Sequence, residues 1–250
     1  MADGNSTAGA RADGRAHDAL RPVTIEPGFM RSADGSALIA MGGTRVICTA
    51  SLVAGAPAWR EASGGGWLTA EYGMLPASTG ARRQRDVSRG RPDGRTVEIQ
   101  RLIGRSLRSV VDIDAMGPRT LYVDCDVLEA DGGTRCASIT GGFVAARLAF
   151  DRLVERGELE RPPLRDSIAA VSCGVVDGTP RLDLDYPEDS TAEVDMNVVM
   201  TGSGELVEVQ ATGEGVPFSK NSLDELLALA AKGIEELRVA QEAAAAGPAN

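Results

Sequence analysis

The chain contains one histidine, His17, among its 250 residues. That scarcity excludes a Ser-His-Asp triad, a Cys-His pair and any multi-histidine metal site. Cysteine is also sparse: Cys48, Cys125, Cys136 and Cys173 stand far apart and none forms a CxxC pair. Cys48 and Cys125 fall inside strand-like patterns and Cys173 follows one, so all four are expected to be reduced, buried small hydrophobes of a cytoplasmic protein. No apolar run approaches the ~20 residues of a membrane-spanning helix. The N-terminus, MADGNSTAGARADGR, has no apolar core of the kind a secretory signal needs. The remaining chemical repertoire is carboxylates, arginines, hydroxyls, backbone groups or a hard metal ion.

With 43% hydrophobic and 25% charged residues, the composition is that of an ordinary globular protein. The net charge of −10 argues against non-specific nucleic-acid binding by overall field. The distribution of charge carries more information. Between Arg82 and Arg108 there are nine arginines against three acids. Between Asp183 and Glu214 there are nine acids and no base. The two blocks can pair with each other, or divide the work of binding an anion and its metal or proton donor.

Read in order, residues 1–17 form a Gly-, Ala- and Asp-rich tail expected to be disordered. Strands are predicted at 21–26, 35–42 and 44–53, the last two joined by a hairpin at Gly42-Gly43. Residues 55–95 are irregular apart from a short strand near 66–72, and end in the basic stretch ARRQRDVSRGRPDG. A helix follows at 96–112, with Thr96 as its cap and Ile99, Leu102, Ile103, Leu107, Val110 and Val111 on its apolar face. Arg101, Arg105 and Arg108 line another face, a pattern usually solvated or ion-paired. After a linker at 158–163 come strands at 167–172, 179–185, 194–200 and 205–211. A closing amphipathic helix is read from a capping box at Ser222–Glu225, and the tail AAAAGPAN is expected to fray. The class is α+β: two pseudo-repeated β-α-β-α units with mixed sheets backed by helices, spanning 18–157 and 158–250.

The stretch from Tyr122 to Arg147 organises the rest. Val123, Cys125 and Val127 alternate with Asp124 and Asp126, the period of a half-buried strand. Asp131-Gly132-Gly133-Thr134-Arg135 is a turn, and Ile139, Phe143, Ala146 and Ala149 recur at helical spacing. A strand–glycine–helix turn presents backbone N–H groups at the positive end of a helix dipole, where an anion is favoured. Thr134 adds a hydroxyl and Arg135 a bidentate fork for phosphate or carboxylate. Arg95, beside the start of the 96–112 helix, marks a second such place. Asp189 and Asp195 can share one pocket, to hold Mg²⁺ with water or to supply a general acid. Asp183 and Asp185 compete for that role, and spacing alone does not choose.

Seven blocks in order resemble the ribonuclease PH family: RPVTIEPGF, GGTRVICTASL, GWLTAEYGMLPAST, GRTVEIQRLIGRSLR, DCDVLEADGGTRCASITG, EDSTAEVDMNVVMT and VEVQATGEGVPFS. The resemblance covers Arg21 to Gln241. It implies a phosphate-dependent 3′→5′ exoribonuclease, or tRNA nucleotidyltransferase, acting on tRNA precursors and other RNA 3′ ends. It further implies a homohexameric ring, a trimer of dimers. By position, it assigns Arg95, Gly133, Thr134 and Arg135 to inorganic phosphate. Asp189 and Asp195 become the catalytic or Mg²⁺-binding carboxylates. Arg82 and Arg85, with Arg83 as a substitute, become tRNA contacts. One departure is Ala77, which follows the MLP block where the family often has arginine.

Overall fold

A computed structural model describes residues 11–61, 64–85, 88 and 90–246. The elements run β1 (Val23–Pro27), β2 (Gly35–Met41), β3 (Thr44–Ala54), α1 (Ala58–Glu61), β4 (Trp67–Met74), α2 (Gly94–Val110), β5 (Arg119–Glu129) and α3 (Thr134–Glu155). They continue as β6 (Ile168–Val176), β7 (Thr179–Leu182), α4 (Tyr186–Asp189), β8 (Val194–Thr201), β9 (Leu206–Gly213) and α5 (Lys220–Ala245).

The strands form two sheets, ordered β1-β2-β3-β5-β4 and β7-β6-β8-β9. The first is mixed because β4 lies parallel to β5. The second is antiparallel throughout. This is the α+β class expected, and the alternating patterns explain it. In β5, Val123, Cys125 and Val127 are buried while Tyr122 and Asp126 face outward. The six predicted apolar residues of α2 are all buried.

α3 goes beyond its predicted stripe. Besides Ile139, Phe143, Ala146 and Ala149, its small residues Ala137, Gly141, Gly142 and Ala145 are buried too. Small side chains on every face let the helix run through the middle of the molecule, against β2 and β3 on one side and β6 on the other. The N-terminus of α3 is therefore held firmly between the two sheets.

Several expectations change. The cap of α2 is Asp93, whose side chain accepts from the Thr96 N–H, so Thr96 lies within the first turn. The cap of α5 is Ser219, accepting from the Ser222 N–H. In both cases the residue three positions earlier offers a side-chain oxygen at the required reach. A capping box does occur, but at α4, between Asp185 and Glu188. The strand expected at 179–185 stops at Leu182, because Asp183 turns into the left-handed region at φ 53°. Neither Asp183 nor Asp185 therefore continues the strand. Asp183 is fully buried and Asp185 caps α4. Of the tail expected to be disordered, residues 1–10 lie outside the described residues. Residues 11–17 are fastened by charge: Arg11 is 3% exposed and donates to Glu188. Residues 247–250 of the C-terminal tail also lie outside the described residues.

Arg105 and Arg108 of α2 behave as a structural face. Arg105 pairs with Glu208 at 2.6 Å, joining the basic block to the acidic one. Arg108 sits 4.9 Å from the centre of the Trp67 ring and donates to the Leu68 carbonyl. Trp67 meets Trp59 edge-on at 4.6 Å. No helix among the described residues is long and apolar enough to cross a membrane.

Candidate active site

Gly132 and Gly133 both take positive φ, at 76° and 68°. Only glycine adopts two such conformations in succession cheaply. At Gly132 there is also no room: a Cβ would lie 2.6 Å from the Leu184 carbonyl oxygen and 3.0 Å from the Tyr186 nitrogen. The turn before α3 thus rests directly on the backbone leading into α4. Gly133 caps α3 without any side-chain hydrogen bond, so the first N–H groups of a 22-residue helix are left for a ligand.

Thr134 is oriented by the Tyr72 hydroxyl at 2.9 Å. Arg135 is held by Gln210 of β9, across the gap between the halves, at 2.7 Å and by Glu98 of α2, in its own half, at 3.3 Å. Arg95 occupies the first turn of α2, beyond the Asp93 cap rather than before it. Glycine turn, Thr134, Arg135, Arg95, Asp189 and Asp195 line one cavity of about 610 Å³. The predicted phosphate ligands and the predicted carboxylates therefore share one space, although they come from positions as distant as 95 and 195.

The cavity places its two carboxylates under strain. Burial raises the Asp189 carboxyl, and the Arg95 and Arg135 charges offset only part of that rise. Burial also raises Asp195, and the neighbouring Asp189 charge adds to the effect, pushing it up to about 6. The buried Oδ1 of Asp195 has no hydrogen-bond partner. A buried, unpartnered carboxylate oxygen beside a second acid calls for a proton or a cation. Among the described residues no three His, Cys, Asp or Glu side chains gather as a metal cage. Two carboxylates fit Mg²⁺ nonetheless, because that ion keeps several waters and is usually held by one or two carboxylates plus substrate phosphates.

Three arginines were expected to bind RNA, and they separate. Arg83 forms part of the cavity wall and pairs with Asp93 at 3.5 Å. Arg82 and Arg85 are exposed on the loop outside it. None of the thiols lines the cavity. All four are buried and unbridged, and burial pushes Cys136 up to about 12.

The sequence reading missed the supports beneath this site. The buried Asp183 accepts from the Arg21 backbone N–H at 2.8 Å, and from its Nε at 3.1 Å and Nη2 at 2.7 Å. Arg21 in turn donates to the carbonyls of Asp131 and Gly132, and Thr44 Oγ1 donates to Gly132 at 2.6 Å. Glu188 is gripped by Arg11 at 2.6 Å and Arg181 at 2.9 Å. Burial raises its carboxyl, but those hydrogen bonds outweigh burial and hold it below the usual range. One ion pair anchors the glycine turn and the other anchors α4, which carries Asp189. A lone buried charge leaves no periodic trace in sequence.

A cleft of about 510 Å³ elsewhere, lined by Phe143 and Gln241, also contains arginines. There Arg147 is committed to Asp151, and Arg238 to Glu235 and Glu242.

Two family descriptions match the chain: 3′ exoribonuclease family, domain 1, over residues 19–149, and domain 2 over residues 166–233. A protein named ribonuclease PH from Syntrophomonas wolfei is 56% identical over 232 residues, 93% of this chain and 97% of that protein. Another of that name from Roseobacter denitrificans is 56% identical over 236 residues, 94% of this chain and 100% of the other. In three dimensions the chain resembles the Archaeoglobus fulgidus exosome with RNA bound to the active site, at TM-score 0.78 and 24% identity over 92% of each chain. It also resembles rice (Oryza sativa) Rrp46, at TM-score 0.75 and 20% identity over 93% of this chain and 98% of that one. At those identities the structural likeness speaks for the fold, whereas the two family descriptions and the 56% identities establish kinship: the chain belongs to the 3′ exoribonuclease family.

Proposed function

We propose that this chain removes nucleotides one at a time from the 3′ ends of RNA by phosphorolysis, with tRNA precursors among its substrates. One observation carries the reading: two arginines at two helix N-termini face two carboxylates of raised pKa across a single cavity. That arrangement suits an anionic nucleophile meeting an anionic ester. In this reading residues 18–157 supply the phosphate site and 158–250 the carboxylates.

Arg95, Arg135 and the Gly133–Thr134 end of α3 hold inorganic phosphate. Their positive charge lets it approach the last internucleotide phosphorus, which phosphate alone would repel. A phosphate oxygen attacks that phosphorus, the bond to the 3′ oxygen breaks, and the oxygen leaves with a proton. The products are a nucleoside 5′-diphosphate and an RNA one residue shorter. Positioning and charge stabilisation supply most of the rate. One phosphoanhydride replaces one phosphodiester, so nucleotide addition from diphosphates is expected to run in reverse.

Asp195, pushed up to about 6, lies close to the pH at which a carboxylic acid serves best as proton donor to the 3′ oxygen. The other use of the pair is as carboxylates: ionised, Asp189 and Asp195 would hold Mg²⁺, which when bound neutralises charge on the reacting phosphates, and Asp195 would then not be the proton donor. Arg82 and Arg85 contact the RNA body, and Arg83 acts closer in, at the cavity wall. The active form is a homohexameric ring built as a trimer of dimers, to be tested by native mass measurement. The reduced, buried cysteines support a cytoplasmic setting.

The test is product identity. With labelled inorganic phosphate and a tRNA precursor, label is expected in nucleoside diphosphate; monophosphate release without a phosphate requirement would overturn the reading. Arg95→Ala is expected to lower kcat/KM for phosphate by the equivalent of about 2–4 kcal/mol, measured at limiting phosphate. A catalytically silent ring subunit is the alternative. The presence of Arg95, Gly133, Thr134, Arg135, Asp189 and Asp195 in one cavity favours the enzyme.

A further inference from the structure

Tyr186 is one of nine aromatic residues in the chain, yet 63% of its surface is exposed. Its ring contributes little to the core. It stands instead on the rim of the cavity, as the first residue of α4. Asp189 follows three positions later, so ring and carboxylate share one side of that helical turn. The platform beneath them is rigid. Asp185 and Glu188 close a capping box, Pro187 fixes the first turn, and Glu188 is locked from below by Arg11 and Arg181. The Tyr186 N–H reaches Asp131 Oδ1 at 3.4 Å, tying the same residue to the glycine turn.

We propose that Tyr186 is the stacking surface for a base at the 3′ end of the RNA, a binding role in the reaction assigned above and resting on that assignment. The scissile phosphorus has to lie between the phosphate site and Asp189–Asp195, which puts the flanking bases at the rim. A flat exposed ring there binds any of the four bases through its face, with no base-edge hydrogen bonds. An enzyme that advances along a chain one residue at a time needs that indifference, and aromatic stacking supplies it.

The test uses single-stranded oligoribonucleotides, varied at saturating phosphate and then held saturating while phosphate is varied, with nucleoside diphosphate release as the readout and native mass recorded for each variant. Tyr186→Leu, which keeps apolar bulk and removes the ring, is expected to raise KM for RNA roughly 5- to 150-fold. KM for phosphate is expected to stay unchanged, and Tyr186→Phe to restore KM for RNA. Oligonucleotides carrying an abasic residue at the terminal or the penultimate position should lose affinity with the wild type. The one whose missing base is Tyr186's partner should lose nothing further with Tyr186→Leu. An unchanged KM for RNA, equal losses on intact and on both abasic substrates, or a smaller native mass for Tyr186→Leu would overturn the stacking role; the last would make Tyr186 a subunit contact. Failure of the wild type to release any diphosphate would instead overturn the proposed function.

Discussion

Asp183→Ala is expected to lower the stability of the fold by about 3–5 kcal/mol, because it removes one partner of a buried ion pair and leaves the other charged. Asp183 is 0% exposed and Arg21 4%, so the guanidinium cannot turn to water. The second half of the prediction concerns function. Arg21 also holds the carbonyls of Asp131 and Gly132, and through them the αL geometry of the phosphate turn. A relaxed turn should raise KM for phosphate by a larger factor than it lowers kcat. The double variant Arg21→Met, Asp183→Leu separates the two effects. Removing both charges should recover most of the stability, since a buried pair replaced by apolar groups of similar volume is often neutral. Phosphate affinity should stay impaired, because the turn still lacks its donors. Denaturant unfolding and phosphate-dependent kinetics check both parts; recovery of phosphate affinity in the double variant would show that Arg21 does not position the turn.

Asp195→Asn is expected to reduce kcat by about 10²–10⁴-fold, the usual contribution of a positioned proton donor. The same change should make the protein more stable. Burial and the Asp189 charge raise the Asp195 carboxyl from 3.8 to about 6, so the ionised form is less favourable in the folded state than in the unfolded chain. A group raised in this way contributes stability that is fully present below about 4 and lost as pH rises through about 6. Asparagine cannot ionise and escapes that loss. A shift of about two units corresponds to roughly 3 kcal/mol, reduced to about 1–2 kcal/mol for the part of the side chain that solvent reaches. In chelator-treated protein, the variant's advantage should be present at pH 8 and fade towards pH 4. A wild type as stable as Asp195→Asn at pH 8 would show that the carboxylate is not strained there.

The sequence by itself determined the elements and the chemistry available to them. Alternation in β5, the 3.6-residue spacing of Ile99, Leu102, Ile103 and Leu107, and the double glycine before Thr134 are local patterns. Local patterns survive in one dimension because strand and helix periods are properties of neighbouring residues. The single histidine and the scattered cysteines narrowed the chemistry by elimination. Helix caps were less legible: Asp93 and Ser219 lie three residues before the caps expected from the sequence, and only backbone geometry at each start decides between adjacent polar residues.

Tertiary structure decided everything that depends on residues far apart. Arg21 and Asp183 are separated by 162 positions and Arg11 and Glu188 by 177, and nothing local marks any of the four as buried. Which acids face the cavity was also settled in space. Asp183, Asp185, Glu188, Asp189 and Asp195 all sit in one acidic run, yet one fastens Arg21, one caps α4, one anchors it, and two line the cavity. The physical reason is that a carboxylate takes its role from what surrounds it. Burial, a facing arginine or a neighbouring acid is supplied by other segments, and α3, running between the sheets, is what brings those segments to the glycine turn.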